Sequence, residues 1–171
     1  MGWNKKMILI VLCIISLFPA CSVISFGPTG GSVNYDMTKT IRISEFPNRT
    51  AFYPQMTQMF DLALRKRFIE QTRLKEVTNG GDIEIEGEIT SFQVQGMAVK
   101  EDAYSSQTRL TVSVRVQYVN NKETGKDVDQ SFSAFKEFDS ARSLDDVQDE
   151  LMKLIIDELV DLIYNATVAN W

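Results

Sequence analysis

From Lys39 onward the chain alternates between apolar and polar positions, and the phase of that alternation predicts most of its elements. Ile41 and Ile43 fall on one face, with Arg42 and Ser44 on the other, so a first strand is expected to end at Phe46-Pro47-Asn48. A helix follows near Pro54, a residue favoured in a first helical turn. Met56, Phe60, Leu64 and Phe68 recur at helical spacing, while Gln58, Asp61, Arg65 and Lys66 face away, and the stripe stops around Gln71-Thr72. Arg73 to Val77 reads as a short strand entering a turn at Asn79-Gly80-Gly81. Ile83, Ile85 and Ile89 then alternate with Asp82, Glu84, Glu86 and Glu88. Past Thr90 the parity flips to Phe92 and Val94, which predicts a bulge near Thr90-Ser91.

After a polar loop over residues 97–106 comes the strongest strand, Thr108 to Val119. Leu110, Val112, Val114, Val116 and Tyr118 point one way, and Arg109, Thr111, Ser113, Arg115 and Gln117 the other. The polar turn Asn120 to Asp127 closes a hairpin onto Val128 to Phe138, where Phe132, Phe135 and Phe138 suggest a second phase slip. Ser143, with Asp146 three residues on, caps a final helix from Leu144 to Ala169. Its main stripe is Leu144, Val147, Leu151, Ile155, Leu159, Leu162 and Ala166. Leu154, Ile156, Val160 and Ile163 widen the apolar face beyond what one sheet covers. The expected fold is α+β, with two helices packed on one face of a mixed, mainly antiparallel four-stranded sheet. Its other face is Thr, Arg, Glu, Gln and Ser, suited to water or a wet interface.

The N-terminus follows different rules. Lys5 and Lys6 precede an unbroken apolar run from Met7 to Phe18, too short for the ~20 residues of a membrane-spanning helix, and the pattern is that of a secretory signal. The run ends Leu17-Phe18-Pro19-Ala20-Cys21, which resembles a bacterial lipobox, although Phe18 and Pro19 stand where smaller or aliphatic residues are usual. The expected organisation is a signal peptide over 1–20, a tether over 21–38 anchored through an acylated Cys21, and one domain over 39–171. Gly27-Pro28 and Gly30-Gly31 argue against a regular element and for a tether, with Val23 to Phe26 expected to lie on the domain or the membrane surface.

Charge and composition narrow the chemistry. Removing Lys5 and Lys6 with the signal takes the net charge from −5 to about −7, a poor match for nucleic acid. Loss of Cys13 leaves no pair for an intramolecular disulfide, so an apolar core must carry stability. With no histidine the commonest general base and metal ligand is missing, and no Gly-x-Ser-x-Gly elbow occurs. Gly125-Lys126 runs into Asp127, which excludes a P-loop. Glu84, Glu86 and Glu88 read as a solvated edge rather than a cation site. No enzyme, cofactor or metal site is expected.

Five cations do stand out in this acidic chain. Arg65, Lys66, Arg67, Arg73 and Lys75 lie at the end of the first helix and the start of the next strand. Cations there complement a helix C-terminus, and the same local field suits phosphorylated sugars or anionic headgroups. Arg109 and Arg115, on the polar face of the longest strand, are weaker candidates. Asp139-Ser140-Ala141 resembles an Asp-Ser-aliphatic O-glycosylation acceptor, a pattern of low specificity.

Several stretches in collinear order carry a family resemblance. They are Ser25-Phe26, Gln71-Thr72-Arg73-Leu74, Gly87-Glu88-Ile89-Thr90, Gln107-Thr108-Arg109-Leu110-Thr111, Gln130-Ser131-Phe132-Ser133, Phe138-Asp139-Ser140, Asp149-Glu150-Leu151 and Ala169-Asn170-Trp171. Together they resemble LptE, the lipopolysaccharide-assembly lipoprotein family, in a divergent branch. The resemblance implies two helices on a four-stranded sheet. It also implies an outer-membrane lipoprotein that plugs and helps assemble the LptD β-barrel and assists lipopolysaccharide transport to the cell surface. The lipobox adds palmitate at Cys21, and the absence of an acidic run in Ser22-Val23-Ile24-Ser25 favours the periplasmic face. Direct lipopolysaccharide binding through basic residues is part of that expectation, with Arg65, Lys66, Arg67, Arg73 and Lys75 as candidates on charge alone. The alternative is a generic envelope lipoprotein acting as a ligand-binding or structural module.

Overall fold

The alternation becomes one sheet. In the computed structural model, which describes residues 33–97 and 106–168, the elements run β1 (Thr40–Ile43), α1 (Met56–Gln71), β2 (Lys75–Glu76), β3 (Ile83–Gly96), β4 (Gln107–Asn120), β5 (Val128–Asp139) and α2 (Leu144–Thr167). The expected signal peptide, the tether up to residue 32, residues 98–105 of the expected loop and the expected extension of the final helix to Ala169 lie outside the described residues. Sheet order is β2-β1-β3-β4-β5. The expectation of four strands is corrected to five, because the two residues of β2 pair in parallel with β1. β1 is also parallel to β3, whereas the long β3–β4 and β4–β5 pairs are antiparallel.

Register shows why one face is apolar throughout. Ile41 and Ile43 stand beside Ile83 and Ile85, which stand beside Asn120 and Tyr118. The β3–β4 register shifts between Ile89 and Ser91, at the predicted bulge. The shift leaves Thr90 exposed, its hydroxyl donating to the Ser113 carbonyl at 3.2 Å. Phe92 and Val94 thereby fall on the same face as Ile89. No such slip occurs in β5. Its register with β4 is continuous, so Phe132, Ala134 and Phe138 face the core and Phe135 points outward, 45% exposed. The expected second slip is therefore corrected. The register places Phe135 outward, where the Arg109 guanidinium stacks 4.1 Å from its ring.

Both helices cover the apolar face. α1 buries Met56, Phe60, Leu64 and Phe68, the predicted stripe. It ends where Thr72 turns extended and caps the Phe68 carbonyl through both its amide and its hydroxyl. In α2 the Ser143 hydroxyl accepts from the Asp145 amide at 3.3 Å, one residue earlier than a capping box would place it. Val147, Leu151, Met152, Ile155, Ile156, Leu159, Val160 and Ile163 are buried, at roughly 1.5–3 kcal/mol per large side chain. Leu162, expected in that stripe, is instead 39% exposed, and Leu154 is 46% exposed. The helices run side by side in the same direction. Tyr53 donates to Asp149 at 2.6 Å near the start of each, and Tyr164 donates to the Gln71 carbonyl at 3.1 Å near their ends.

Phe46, fully buried against Phe60 at 5.0 Å between ring centroids, lies where a side chain at position 87 would be. A Cβ on Gly87 would come 2.5 Å from the Phe46 ring and 2.1 Å from the Arg115 carbonyl oxygen, which fixes glycine at that position. Asp82 ties the short strand to the long ones. Its Oδ2 accepts the amides of Lys39 (2.8 Å) and Thr40 (3.0 Å), and its Oδ1 meets Lys122 Nζ at 3.2 Å. The Lys39 amide, aided by Thr40 and Lys122, holds the Asp82 carboxyl down at about 2. A carboxylate whose folded-state value is depressed stabilises the fold above its unfolded value of about 4 and loses that contribution as pH falls towards 2. Urea midpoints measured from pH 6 to pH 2 should therefore drop across pH 4 to 2 in the wild type. In Asp82→Asn the midpoint should be lower at pH 6 and the drop across that window shallower; parallel curves would contradict the assignment.

Candidate functional site

The five cations singled out in the sequence do not converge on one point. Arg65, Lys66 and Arg67 are consecutive helical residues, so their side chains leave α1 about 100° apart. Arg65 turns under the helix, donating to the Ile43 carbonyl at 2.7 Å and pairing with Glu76. Arg67 turns towards α2, where it meets Asp161 at 2.6 Å and lies 5.1 Å from the Tyr164 ring. Lys66 stays exposed, as do Arg73 and Lys75 at the passage from α1 to β2.

Lys66 and Arg67 line a groove of about 420 Å³ between the helices, together with Glu70, Gln71, Asp157, Val160 and Asp161. Two cations there face three carboxylates, so the groove itself is no anion site. The solvent-facing positive field belongs to Lys66, Arg73 and Lys75. Arg73 also acts on Tyr35, opposing the burial that raises the Tyr35 phenol above its usual range.

The outer face of the sheet is the more organised surface. Glu84, Glu86 and Glu88 do not form an edge, since β3 is the central strand. Arg42 pairs with Glu84 and reaches Glu86 at 3.7 Å, and Arg49 meets Glu88 at 2.8 Å. Across β4 and β5, Arg115 pairs with Asp129 at 3.2 Å, Ser113 bonds Ser133 at 2.7 Å, and Arg109 meets Glu137 at 2.6 Å. A shallow groove of about 400 Å³ lies in this face, bounded by Arg49, Glu86, Glu88, Arg115, Gln117 and Asp129. Arg42 and Arg49 escaped the sequence reading. The usable signal was pairing, because an acid on every second residue of a central strand needs cations on its neighbours. Ser140 lies exposed in the turn after β5, its hydroxyl 2.8 Å from that of Thr108.

Chemically, this arrangement presents paired charges and hydroxyls over one sheet face, which suits wet contact with another polar surface. Among the described residues no cluster of His, Cys, Asp or Glu has metal-binding geometry, and no helix is long and apolar enough to cross a membrane.

Fold and surface thus define an α+β module with a helix-covered core and an ion-paired open sheet face. The model of the LptE lipopolysaccharide-assembly family matches residues 38–167, nearly the whole described domain, and the chain belongs to that family. Its work therefore lies in lipopolysaccharide assembly in the cell envelope. No curated protein matches the chain. Among solved structures it is similar to a minor lipoprotein from Acinetobacter baumannii at 12% identity, covering 74% of this chain and 89% of that one, with a TM-score of 0.45. It is also similar to a hypothetical protein from Chlamydia trachomatis at 12% identity, covering 78% and 99%, with a TM-score of 0.48. PelC from Paraburkholderia phytofirmans, a dodecamer, is similar at 7% identity, covering 82% and 95%, with a TM-score of 0.49. Likenesses this remote carry no functional weight, and the assignment rests on the family match.

Proposed function

We propose that this protein is an outer-membrane lipoprotein, acylated at Cys21 and held on the periplasmic face, that plugs and helps assemble an LptD-type β-barrel. In that position it assists lipopolysaccharide transport to the cell surface, acting as a scaffold without catalysis. The observation that carries the reading is the family match over residues 38–167. Two physical features support it. A large barrel has a polar lumen, and the outer sheet face, with its Arg–Glu and Arg–Asp pairs and bonded serines, meets such a wall without burying an unpaired charge. A lipid at Cys21 adds about 0.8 kcal/mol per buried methylene, and two or more chains make the anchorage stable.

Lipopolysaccharide phosphates are taken up by the solvent-facing cations Lys66, Arg73 and Lys75. Arg65 and Arg67 support them from within their ion pairs.

Extraction of tagged protein in mild detergent should recover a large outer-membrane β-barrel in stoichiometric amount. Free monomer alone would sink the plug reading and leave the generic envelope lipoprotein in its place. Replacing Lys66, Arg73 and Lys75 together by Glu should weaken lipopolysaccharide binding at least about tenfold while the thermal midpoint stays within a few degrees. Undiminished binding would return these residues to an ordinary solvated helix end.

A further inference from the structure

One edge of the sheet is open in a way folded proteins seldom leave it. β5 is last in sheet order and, among the described residues, pairs only with β4. It is twelve residues long, without proline, and its ladder has no bulge. Such an edge is a template for another strand. Its inward charge is Lys136, which Glu158 of α2 neutralises at 2.6 Å. Leu154 and Leu162 lie one helical turn to either side of Glu158, hence along the seam between α2 and β5, and remain 46% and 39% exposed. A strand laid on β5 extends the sheet beneath these two leucines.

The chain supplies a candidate at the right place. Its first described residue, Val33, is buried, and the Asn34 amide donates to Glu123 Oε2 at 3.3 Å. Glu123 lies in the turn from which β5 starts. Residues 22–32, traced back from that turn, would run antiparallel to β5. Eleven residues reach roughly 36 Å at ~3.3 Å each, against roughly 40 Å for β5, so the segment spans nearly the whole edge. It carries no charge, and it begins Ser22-Val23-Ile24-Ser25-Phe26, β-branched and aromatic residues with Ile24 and Phe26 on one face.

We infer that residues 22–26 dock as a sixth strand on the free edge of β5, with Ile24 and Phe26 against Leu154 and Leu162. The inference deepens the lipoprotein reading and rests on it for the start of the mature chain at Cys21. Docking sets Cys21 beside the end of β5. Val94, Leu110 and Lys136 share a row at that end, and Val94 is 44% exposed there. Phe52, 58% exposed and stacked at 5.4 Å on the neighbouring Phe92, adds to the same end. The acyl chains and an exposed apolar patch then face the membrane together, and the tether becomes a fixed strut that orients the domain.

Ser25→Cys, combined in turn with Ser131→Cys, Ser133→Cys or Phe135→Cys, tests this in the full chain expressed in a Gram-negative envelope with an alkyne palmitate analogue. The three partners are outward positions of β5, and adjacent strands place paired residues within disulfide reach. At least one pair should give an intramolecular bond, read as faster migration without reductant, whereas Ser25→Cys with Ser44→Cys, just past the end of β1, should give none. A disulfide-linked dimer would mean that a second copy takes the edge, and would overturn the docked strand. Palmitate-labelled protein with no bond in any pair would overturn it too, leaving the lipid anchor intact. A bond without label would keep the docked strand and remove the anchor.

Discussion

Everything in this fold hangs on keeping one face of a twisted sheet apolar across a long antiparallel ladder. β3 and β4 are each fourteen residues long, and a single strict alternation in β3 would have exposed Phe92 and Val94 on the wrong side. The extra residue at Thr90 resets the phase, so that the core row continues from Ile89 to Phe92. That reset lets α1 and α2 lie side by side over one surface. Gly87 and Phe46 complete it, because the ring occupies the space a side chain at Gly87 would need. With no disulfide available, this packing is what holds the domain together.

The same phase rule builds the opposite face. Each core residue leaves its neighbours pointing outward, and the outward set on β3 to β5 is charged and hydroxylic. Arg42, Arg49, Arg109 and Arg115 each meet a carboxylate, and because these pairs are largely solvent-screened they contribute little to stability. Their consequence is specificity. The face is charge-paired and rich in hydroxyls, which suits a polar partner surface and discourages self-association. The solvent-facing cations near the end of α1, Lys66, Arg73 and Lys75, lie apart from that face.

The sequence made the elements legible because periodicity is local. The α1 stripe, the bulge near Thr90 and the β4–β5 hairpin are all fixed by residues a few positions apart. What it hid depends on contacts distant in the chain. The short strand expected over Arg73 to Val77 is there as the two residues of β2, but its place beside β1 in the sheet, parallel to Thr40 and Ile41, lay outside any local pattern. Phe135 reads as core by composition but is placed outward by register and held by Arg109. The basic cluster looks like one site in the sequence, yet helical geometry sends Arg65 to Glu76 and Arg67 to Asp161. Likewise the glutamates of β3 look unpaired until the neighbouring strands are known.

If the domain plugs a β-barrel as proposed, the open sheet face, not the helical face, is the surface that meets it. Hydroxyl-radical footprinting separates the two, since Phe135 marks the sheet face at 45% exposure and Leu62 marks the outside of α1 at 69%. In the protein freed from its barrel both should be oxidised readily. In the purified complex Phe135 should be protected several-fold while Leu62 stays reactive. Protection of Leu62 with Phe135 unchanged would contradict the account and place the barrel against the helices.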